Sequence, residues 1–201
     1  GLQNHGRGSD SLSSRLSDFI YSAAMLFFIF LIVGLALIGS VVFMIVIFSF
    51  TIWSNLKGAP FVRSRKDRIA TMLKLAQIKP GMRVIELGSG DGTLIAQAVQ
   101  LGAIAEGIEI NPFLVWYSRR KMRKAGLADR AIFWRANIFN ISLTEKKPDV
   151  LLLYLLPGTL KKLKEKLLTE LSPGTRIVSN AFRIEGLTPA SYENSVYVYH
   201  L

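Results

Sequence analysis

A short strand-favouring segment that leads into closely spaced glycines constrains this chain more than any other feature. Residues 83–86 have strand character, and a G-x-G-x-G turn follows at Gly88, Gly90 and Gly92. An apolar, helix-favouring run begins at Leu94. A strand, a glycine turn and a helix in this order open a nucleotide-binding βαβ unit, in which free N–H groups at the helix start face the ligand. The segment therefore predicts an α/β fold with a ligand site at this turn.

The spacing and the charge of the turn favour a cationic ligand. The glycines are two residues apart, whereas dinucleotide enzymes have the pattern G-x-G-x-x-G. Glu86 and Asp91 lie beside and inside the turn, and carboxylates there would repel a pyrophosphate. S-adenosylmethionine carries an ammonium group and a sulfonium but no phosphate. The segment Val84–Leu94 resembles motif I of the class I S-adenosylmethionine-dependent methyltransferases, and an ordinary Gly-rich strand–helix turn is the alternative.

The composition argues against several other kinds of site. The chain has no Cys, so it has neither disulfides nor thiolate metal ligands. Its two His residues, His5 and His200, stand at opposite ends of the sequence. We therefore expect no metal and no Ser–His chemistry.

A segment of 35 residues without a charge, Phe19–Trp53, precedes the glycine turn. A transmembrane helix needs about 20 residues, and as one helix this segment would be about 52 Å long. One long transmembrane helix is favoured, with Tyr21 and Trp53 as interface anchors. The alternatives are a hairpin that turns at Gly39-Ser40 and a buried helical hairpin of a soluble protein.

The charge distribution predicts the domains and the orientation. We expect a disordered tail over residues 1–18, a transmembrane helix over 19–53, a basic juxtamembrane linker over 54–63 and a methyltransferase domain over 64–201. The whole net charge of +11 lies in residues 57–201, which hold 23 basic and 12 acidic side chains. Under the positive-inside rule, the basic residues after the span predict a single-pass protein whose domain lies on the cytoplasmic face, near anionic headgroups. These residues are Lys57, Arg63, Arg65, Lys66 and Arg68.

The remaining sequence alternates between strand and helix patterns. A Rossmann-like, doubly wound, seven-stranded α/β sheet with a terminal antiparallel hairpin is therefore predicted after the apolar helix. The strands before the hairpin are predicted at residues 83–86, 104–110, 131–136, 149–154 and 175–180, and the hairpin at 187–201.

Polar residues at the predicted strand ends extend the site. Glu109 ends the second strand, 17 residues after Gly92, where a carboxylate can accept both ribose hydroxyls. Asn137 ends the third strand and is placed to bond the adenine edge, although many class I methyltransferases have Asp there. We expect the cofactor-binding residues to be Glu86, Gly88, Ser89, Gly90, Asp91, Gly92, Glu109, Ile110, Asn137 and Ile138.

The order of these parts resembles a narrower group, the membrane-anchored protein lysine methyltransferases related to the mitochondrial enzymes that act on the c-ring protein of ATP synthase and on the adenine nucleotide translocase. The resemblance covers roughly residues 58–201 and includes Ala59–Val62, Glu86–Gly92 and Ser172–Thr175. It implies cofactor contacts for Glu86, Gly88, Asp91 and Glu109, and an acceptor-side role for Phe61 and Tyr154. If the source is eukaryotic, it implies the mitochondrial inner membrane.

The acceptor side is predicted after the fourth strand, at Tyr154 to Pro157. The Asn- or Asp-Pro-Pro-Tyr motif of base and amide methylation is absent there. The predicted catalytic residues, Phe61, Tyr154 and Pro157, would shape a water-poor slot and supply no general base.

The leading hypothesis is a membrane-anchored S-adenosylmethionine-dependent methyltransferase that modifies lysine on a membrane-associated protein. A small-molecule or lipid methyltransferase and an inactive membrane-bound adapter are the alternatives. Nucleic acid is not the expected partner, because no aromatic residue interrupts the basic runs 119–124 and 161–166.

Overall fold

The computed structural model describes residues 7–57 and 65–201, and it describes side chains for residues 15–49 and 65–201. The chain divides into two compact units, Gly1–Trp53 and Ser54–Leu201.

The first unit is one long helix, α1, which extends from Arg7 to Lys57. It continues through Gly39 and Ser40, so the helix is single, as predicted, and the hairpin does not form. The hydroxyl of Ser40 donates to the carbonyl oxygen of Ala36 at 2.8 Å, which satisfies this polar side chain inside the helix. Within the described residues, the part from Arg15 to Ser49 is long and apolar enough to cross a membrane by length and composition.

The start of α1 differs from the sequence prediction. Residues 7–18 are helical, whereas the sequence predicts a disordered tail over residues 1–18. Once a long apolar segment has formed a helix, each added residue gains a backbone hydrogen bond without a new nucleation cost. The helix therefore propagates into a Ser-rich segment that would not form one alone. It likewise extends past Trp53 into the predicted linker.

The second unit alternates helices and strands. Its elements are α2 Lys66–Ala76, β1 Arg83–Leu87, α3 Thr93–Gln100, β2 Ile104–Glu109, α4 Pro112–Lys124, β3 Ala131–Arg135, α5 Leu143–Lys146, β4 Val150–Leu153, α6 Pro157–Glu170, β5 Arg176–Asn180, β6 Ser191–Glu193 and β7 Val196–His200. Within the described residues these strands form one seven-stranded sheet of order β3-β2-β1-β4-β5-β7-β6. The first five strands are parallel and the last two antiparallel. The predicted doubly wound sheet with a terminal hairpin is confirmed.

The sheet is covered on both faces by different helices. Because strand side chains alternate between faces, Val84 lies in the cluster with α2, α3 and α4, and Ile85 lies in the cluster with α5 and α6. The four residues of β4 are all buried, as expected for a central strand of a doubly covered sheet.

The face that carries α5 and α6 is incompletely covered. The crossover from β3 to β4 contains only the four-residue α5, so Ile104, Ile132 and Trp134 stay 42–46% exposed. A groove of about 670 Å³ lies there. The indole N–H of Trp134 donates to Glu106 at 2.6 Å, and Glu106 also pairs with Lys146 at 2.5 Å.

Deleting residues 1–54 is expected to leave a folded domain that is soluble without detergent. Among the described residues, no sheet strand and no member of the two buried clusters lies in the deleted part. Circular dichroism should show one cooperative thermal transition. A longer deletion of residues 1–82 removes the buried Ile69 and Met72 of α2 and should not fold. A non-cooperative profile for the shorter deletion would mean that α1 belongs to the core.

Candidate active site

The carboxyl ends of the parallel strands meet at one edge of the sheet. The register pairs Leu87 with Ile108 and with Leu153, and it pairs Leu153 with Ser179. The residues that follow these positions are therefore neighbours at this edge, which we call the carboxyl edge. In open α/β sheets, ligands bind outside the carboxyl ends of the strands where the strand order reverses, here between β1 and β4.

The glycine turn after β1 has a backbone that other residues rarely adopt. Gly88, Gly90 and Gly92 have φ angles of 80°, 52° and 68°, which lie in the left-handed region that favours glycine. A Cβ atom at Gly92 would approach the Phe133 ring to 2.7 Å. The N–H groups of Gly88 and Ser89 donate to the Ile108 carbonyl at 2.8 and 3.0 Å. These bonds fix the turn against β2.

Glu109 joins the end of β2 to the glycine turn. Its Oε2 accepts from the backbone N–H of Gly90 at 2.9 Å, and its Oε1 accepts from the N–H of Asn111 at 2.9 Å. The side chain is 8% exposed. Because a carboxylate has about four lone-pair sites, both oxygens can accept further bonds. The carboxylate is therefore held in one orientation at the position where ribose hydroxyls are predicted.

Glu86 is the least compensated charge at this edge. It is buried, and its Oε2 has no hydrogen-bond partner among the described residues. Burial raises the pKa of Glu86 well above its usual value; the nearby carboxylates of Asp91 and Glu109 raise it further, and Lys121 acts in the opposite direction. A buried carboxylate without a partner is costly. A cationic group at this turn would remove that cost, so the site fits the ammonium end of S-adenosylmethionine.

Two side chains of α4 hold the turn from the other side. The Ser118 hydroxyl donates to the Gly90 carbonyl at 3.1 Å. Lys121 Nζ donates to Thr93 Oγ1 at 2.7 Å and to the Asp91 carbonyl at 3.3 Å. Lys121 stands in a basic run that resembles a solvated face, so the sequence reasoning missed it. The helical spacing of the buried residues Val115, Ser118 and Met122 was the available signal.

The remaining predicted cofactor residues lie at the same edge. Asp91 is buried, and its Oδ1 accepts from the N–H of Thr93 at 3.1 Å, near the start of α3. Ile110 follows β2 and is half-buried. Asn137 and Ile138 follow β3 and are half-buried, and Asn137 Oδ1 accepts from the Phe139 N–H at 3.1 Å. The adenine contact of Asn137 stays a prediction.

The predicted acceptor side is only partly described. Tyr154 directly follows β4 and is half-buried, and Pro157 begins α6 and is exposed. Leu155 is buried between them, and its side chain would lie 3.1 Å from a Cβ atom at Gly88. Tyr154 is thus a neighbour of the glycine turn through the β1–β4 pairing. Phe61 lies outside the described residues.

Comparison with known proteins decides the family. Residues 86–191 match the model of the ANTKMT methyltransferase domain, which is more than half of the chain. The chain belongs to this family. A protein-lysine N-methyltransferase of Saccharolobus islandicus (strain REY15A) is 33% identical over 138 residues, which cover 68% of this chain and 84% of that protein.

Two further relatives differ in what they act on. The adenine nucleotide translocase lysine N-methyltransferase of Mus musculus is 32% identical over 133 residues, 66% of this chain and 57% of that protein. The crystal structure of an RNA methyltransferase from Salinibacter ruber in complex with S-adenosyl-L-homocysteine has a TM-score of 0.67 and 35% identity, and the match covers 69% of this chain and 93% of that chain. The fold is that of the class I methyltransferases. This chain spans less than two thirds of the frog, rat and mouse ATP synthase lysine N-methyltransferases that it matches.

Glu86→Gln should stabilise the protein without cofactor and weaken cofactor binding. Because the pKa of Glu86 is raised in the folded state, its stabilising contribution is complete below the unfolded pKa and is lost as the pH rises through the folded pKa. The variant lacks this dependence. Its thermal midpoint should exceed that of the parent at about pH 8 and match it at about pH 4.

The matched control for this experiment is Glu165→Gln, an exposed carboxylate on α6. It should change neither the thermal midpoint nor the affinity for S-adenosylmethionine measured by calorimetry. A Glu86→Gln variant that loses stability at high pH as the parent does would show that the buried carboxyl is not the titrating group.

Asp91→Ala and Glu109→Ala should each weaken S-adenosylmethionine binding by about 1.5–3 kcal/mol, the range for hydrogen bonds to charged groups. Glu109→Gln keeps one acceptor oxygen and should lose less. Asp129→Ala, at an exposed position, is the control. Calorimetry measures the four affinities. Unchanged affinity in both alanine variants of the turn would contradict the site.

Proposed function

We propose that this chain is a membrane-anchored, S-adenosylmethionine-dependent protein lysine N-methyltransferase that acts on a membrane-associated protein. The observation that carries the cofactor assignment is the buried carboxyl of Glu86, with one unpartnered oxygen, at a glycine turn on the carboxyl edge. The family match and the lysine N-methyltransferase relatives support the reaction class.

The residues of the turn would bind and orient the cofactor. When bound, S-adenosylmethionine supplies an electrophilic methyl group on a sulfonium. Glu86 and Asp91 hold its cationic end, and Glu109 accepts the ribose hydroxyls. Gly88 and Gly90 leave space for the ligand against the backbone. Ser118 and Lys121 keep the turn in place, so that little reorganisation is needed when the ligand binds.

The acceptor amine would lose its proton without a protein base. The described residues hold two candidate bases near the sheet ends, Asp149 and His200, and both lie at the opposite edge. Asp149 Oδ2 accepts from the N–H of Arg83, the first residue of β1, at 2.7 Å. His200 pairs with Arg176, the first residue of β5. A water-poor slot at Tyr154 and Pro157 would lower the pKa of the acceptor lysine. Activity should therefore rise with pH through the ionisation of that lysine.

The anchor would place the domain beside its substrate. Arg15–Ser49 of α1 is the proposed single membrane span. The basic residues that follow it favour the cytoplasmic face for the domain, or the corresponding face of the mitochondrial inner membrane in a eukaryotic cell. The mouse relative is named for the adenine nucleotide translocase, which supports a membrane-associated protein as the acceptor. Tethering raises the effective concentration of such an acceptor without altering the chemistry.

RNA methylation is the second candidate function. The Salinibacter ruber protein named as an RNA methyltransferase is 35% identical and is covered over 93% of its length. The sequence Tyr154-Leu155-Leu156-Pro157 lacks the Asn- or Asp-Pro-Pro-Tyr motif that supports methylation of base nitrogens. Protein lysine is therefore the favoured acceptor.

One labelling experiment tests the function. The full chain is incubated with tritiated S-adenosylmethionine and membranes from a strain that lacks the gene, and the labelled species are identified by mass spectrometry. Methyl-lysine in a membrane protein is the expected product. Label in RNA or in lipid would replace the lysine proposal with the corresponding alternative. No label, together with normal cofactor binding, would indicate an inactive adapter.

Variants of Tyr154 test the mechanism. Tyr154→Phe should have a mild effect, because the ring shapes the slot and the hydroxyl takes no part in the chemistry. Tyr154→Ala should lower turnover far more than cofactor affinity. Turnover and affinity are measured for both variants, with Tyr192→Ala, which is 58% exposed, as the control. If Tyr154→Phe is as inactive as Tyr154→Ala, the hydroxyl acts chemically and the mechanism without a base is wrong.

A further inference from the structure

Helix α4 presents aromatic and basic side chains together on its outer side. Phe113, Trp116 and Tyr117 are 57%, 52% and 40% exposed. They recur at the i, i+3, i+4 spacing of one helical face, and the same face continues to Arg120 and Lys124. We call these five residues the α4 outer stripe. The opposite face of the helix is buried in the domain core.

The chemistry of the stripe suits a surface that is both apolar and anionic. The rings of Phe113 and Trp116 are 5.7 Å apart, and the Arg120 guanidinium lies 5.9 Å from the Trp116 ring. Helix α4 has five basic side chains and no acidic one. Aromatic residues favour the headgroup level of a membrane, and basic residues favour anionic lipid. Their combination on one helix is typical of interfacial membrane contacts.

The stripe lies next to the mouth of the candidate site. Helix α4 begins directly after Glu109, Ile110 and Asn111. Phe139 follows β3 at the same carboxyl edge and is 39% exposed, and Leu156 follows β4 there and is 46% exposed. The exposed apolar side chains thus extend along the edge where cofactor and acceptor are expected.

We propose that the α4 outer stripe is a second membrane contact, which inserts into the headgroup layer of an anionic bilayer and holds the mouth of the site at the membrane surface. The proposal rests on the membrane anchoring proposed above. An aromatic and basic surface can also stack on single-stranded RNA. The bilayer is favoured because the same chain carries a helix of membrane-spanning length and composition, which would keep the domain at high effective concentration near lipid.

The three tryptophans of the chain, Trp53, Trp116 and Trp134, allow a direct test. Three single-tryptophan variants of the full chain, with the other two positions changed to Phe, are reconstituted into phosphatidylcholine vesicles with or without phosphatidylglycerol. Bromine-labelled lipid quenches tryptophans that enter the bilayer. Trp134 is the matched control, because it is 46% exposed against 52% for Trp116 but stands on β3 and bonds Glu106.

We expect quenching of Trp116 to be several-fold stronger than that of Trp134 in vesicles with phosphatidylglycerol, and to fall in phosphatidylcholine alone. Arg120→Glu with Lys124→Glu should abolish the difference. The same change at Lys161 and Lys162, two exposed residues of α6, should leave it unchanged.

Trp53 separates the two proposals, because it reports on the anchor alone. Quenching of Trp53 without quenching of Trp116 would overturn the second contact and leave the anchor standing. Absence of quenching at both positions would overturn both proposals. Equal quenching of Trp116 and Trp134 would mean unspecific adsorption and would overturn the stripe. A Trp116 that responds to single-stranded RNA and not to brominated lipid would make the stripe a nucleic-acid surface, which also overturns the proposal.

Discussion

The burial of one carboxyl group explains most of the local structure around the glycine turn. Glu86 lies under the turn with an unpartnered oxygen, and Asp91 and Glu109 bring two more carboxylates close to it. Such an arrangement is costly in the protein alone, and a bound cation relieves the cost. A ligand that binds only the folded state also stabilises that state. The turn must therefore be held by other means until the ligand arrives, which is the role of the bonds from Glu109 and from α4.

Helix α4 connects this turn to the surface of the domain. Its inner side contributes Ser118 and Lys121 to the turn. Its outer side carries Phe113 and Trp116, which are exposed in consecutive turns of the helix. A helix that is packed along its buried face moves as a rigid body, so in the proposed arrangement a membrane contact would fix the orientation of the turn. No conformational change is required, because the same element performs both tasks.

The fold was largely predictable because its signals are local. The glycine spacing after residues 83–86 and the apolar runs of the later strands define the sheet. The four-residue α5 was not predicted, since one turn of helix leaves no periodic pattern. Lys121 was missed because a half-buried lysine in a basic run has the same sequence signal as a solvated one. Helix formation at residues 7–18 depends on propagation from α1, which a local pattern does not reveal. The role of Phe61 stays a prediction.

The positions of the titratable groups connect the proposed chemistry with the proposed location. Asp149 and His200 lie at the edge of the sheet opposite the glycine turn, bound to the start of β1 and paired with the start of β5. A lysine acceptor must then reach its neutral form through its surroundings. Desolvation lowers the pKa of an amine, and the headgroup boundary of a bilayer is less polar than water. A site mouth held at that boundary would therefore favour the neutral amine before the acceptor enters the slot beside Tyr154. In this arrangement the membrane contact and the absence of a general base are parts of one mechanism.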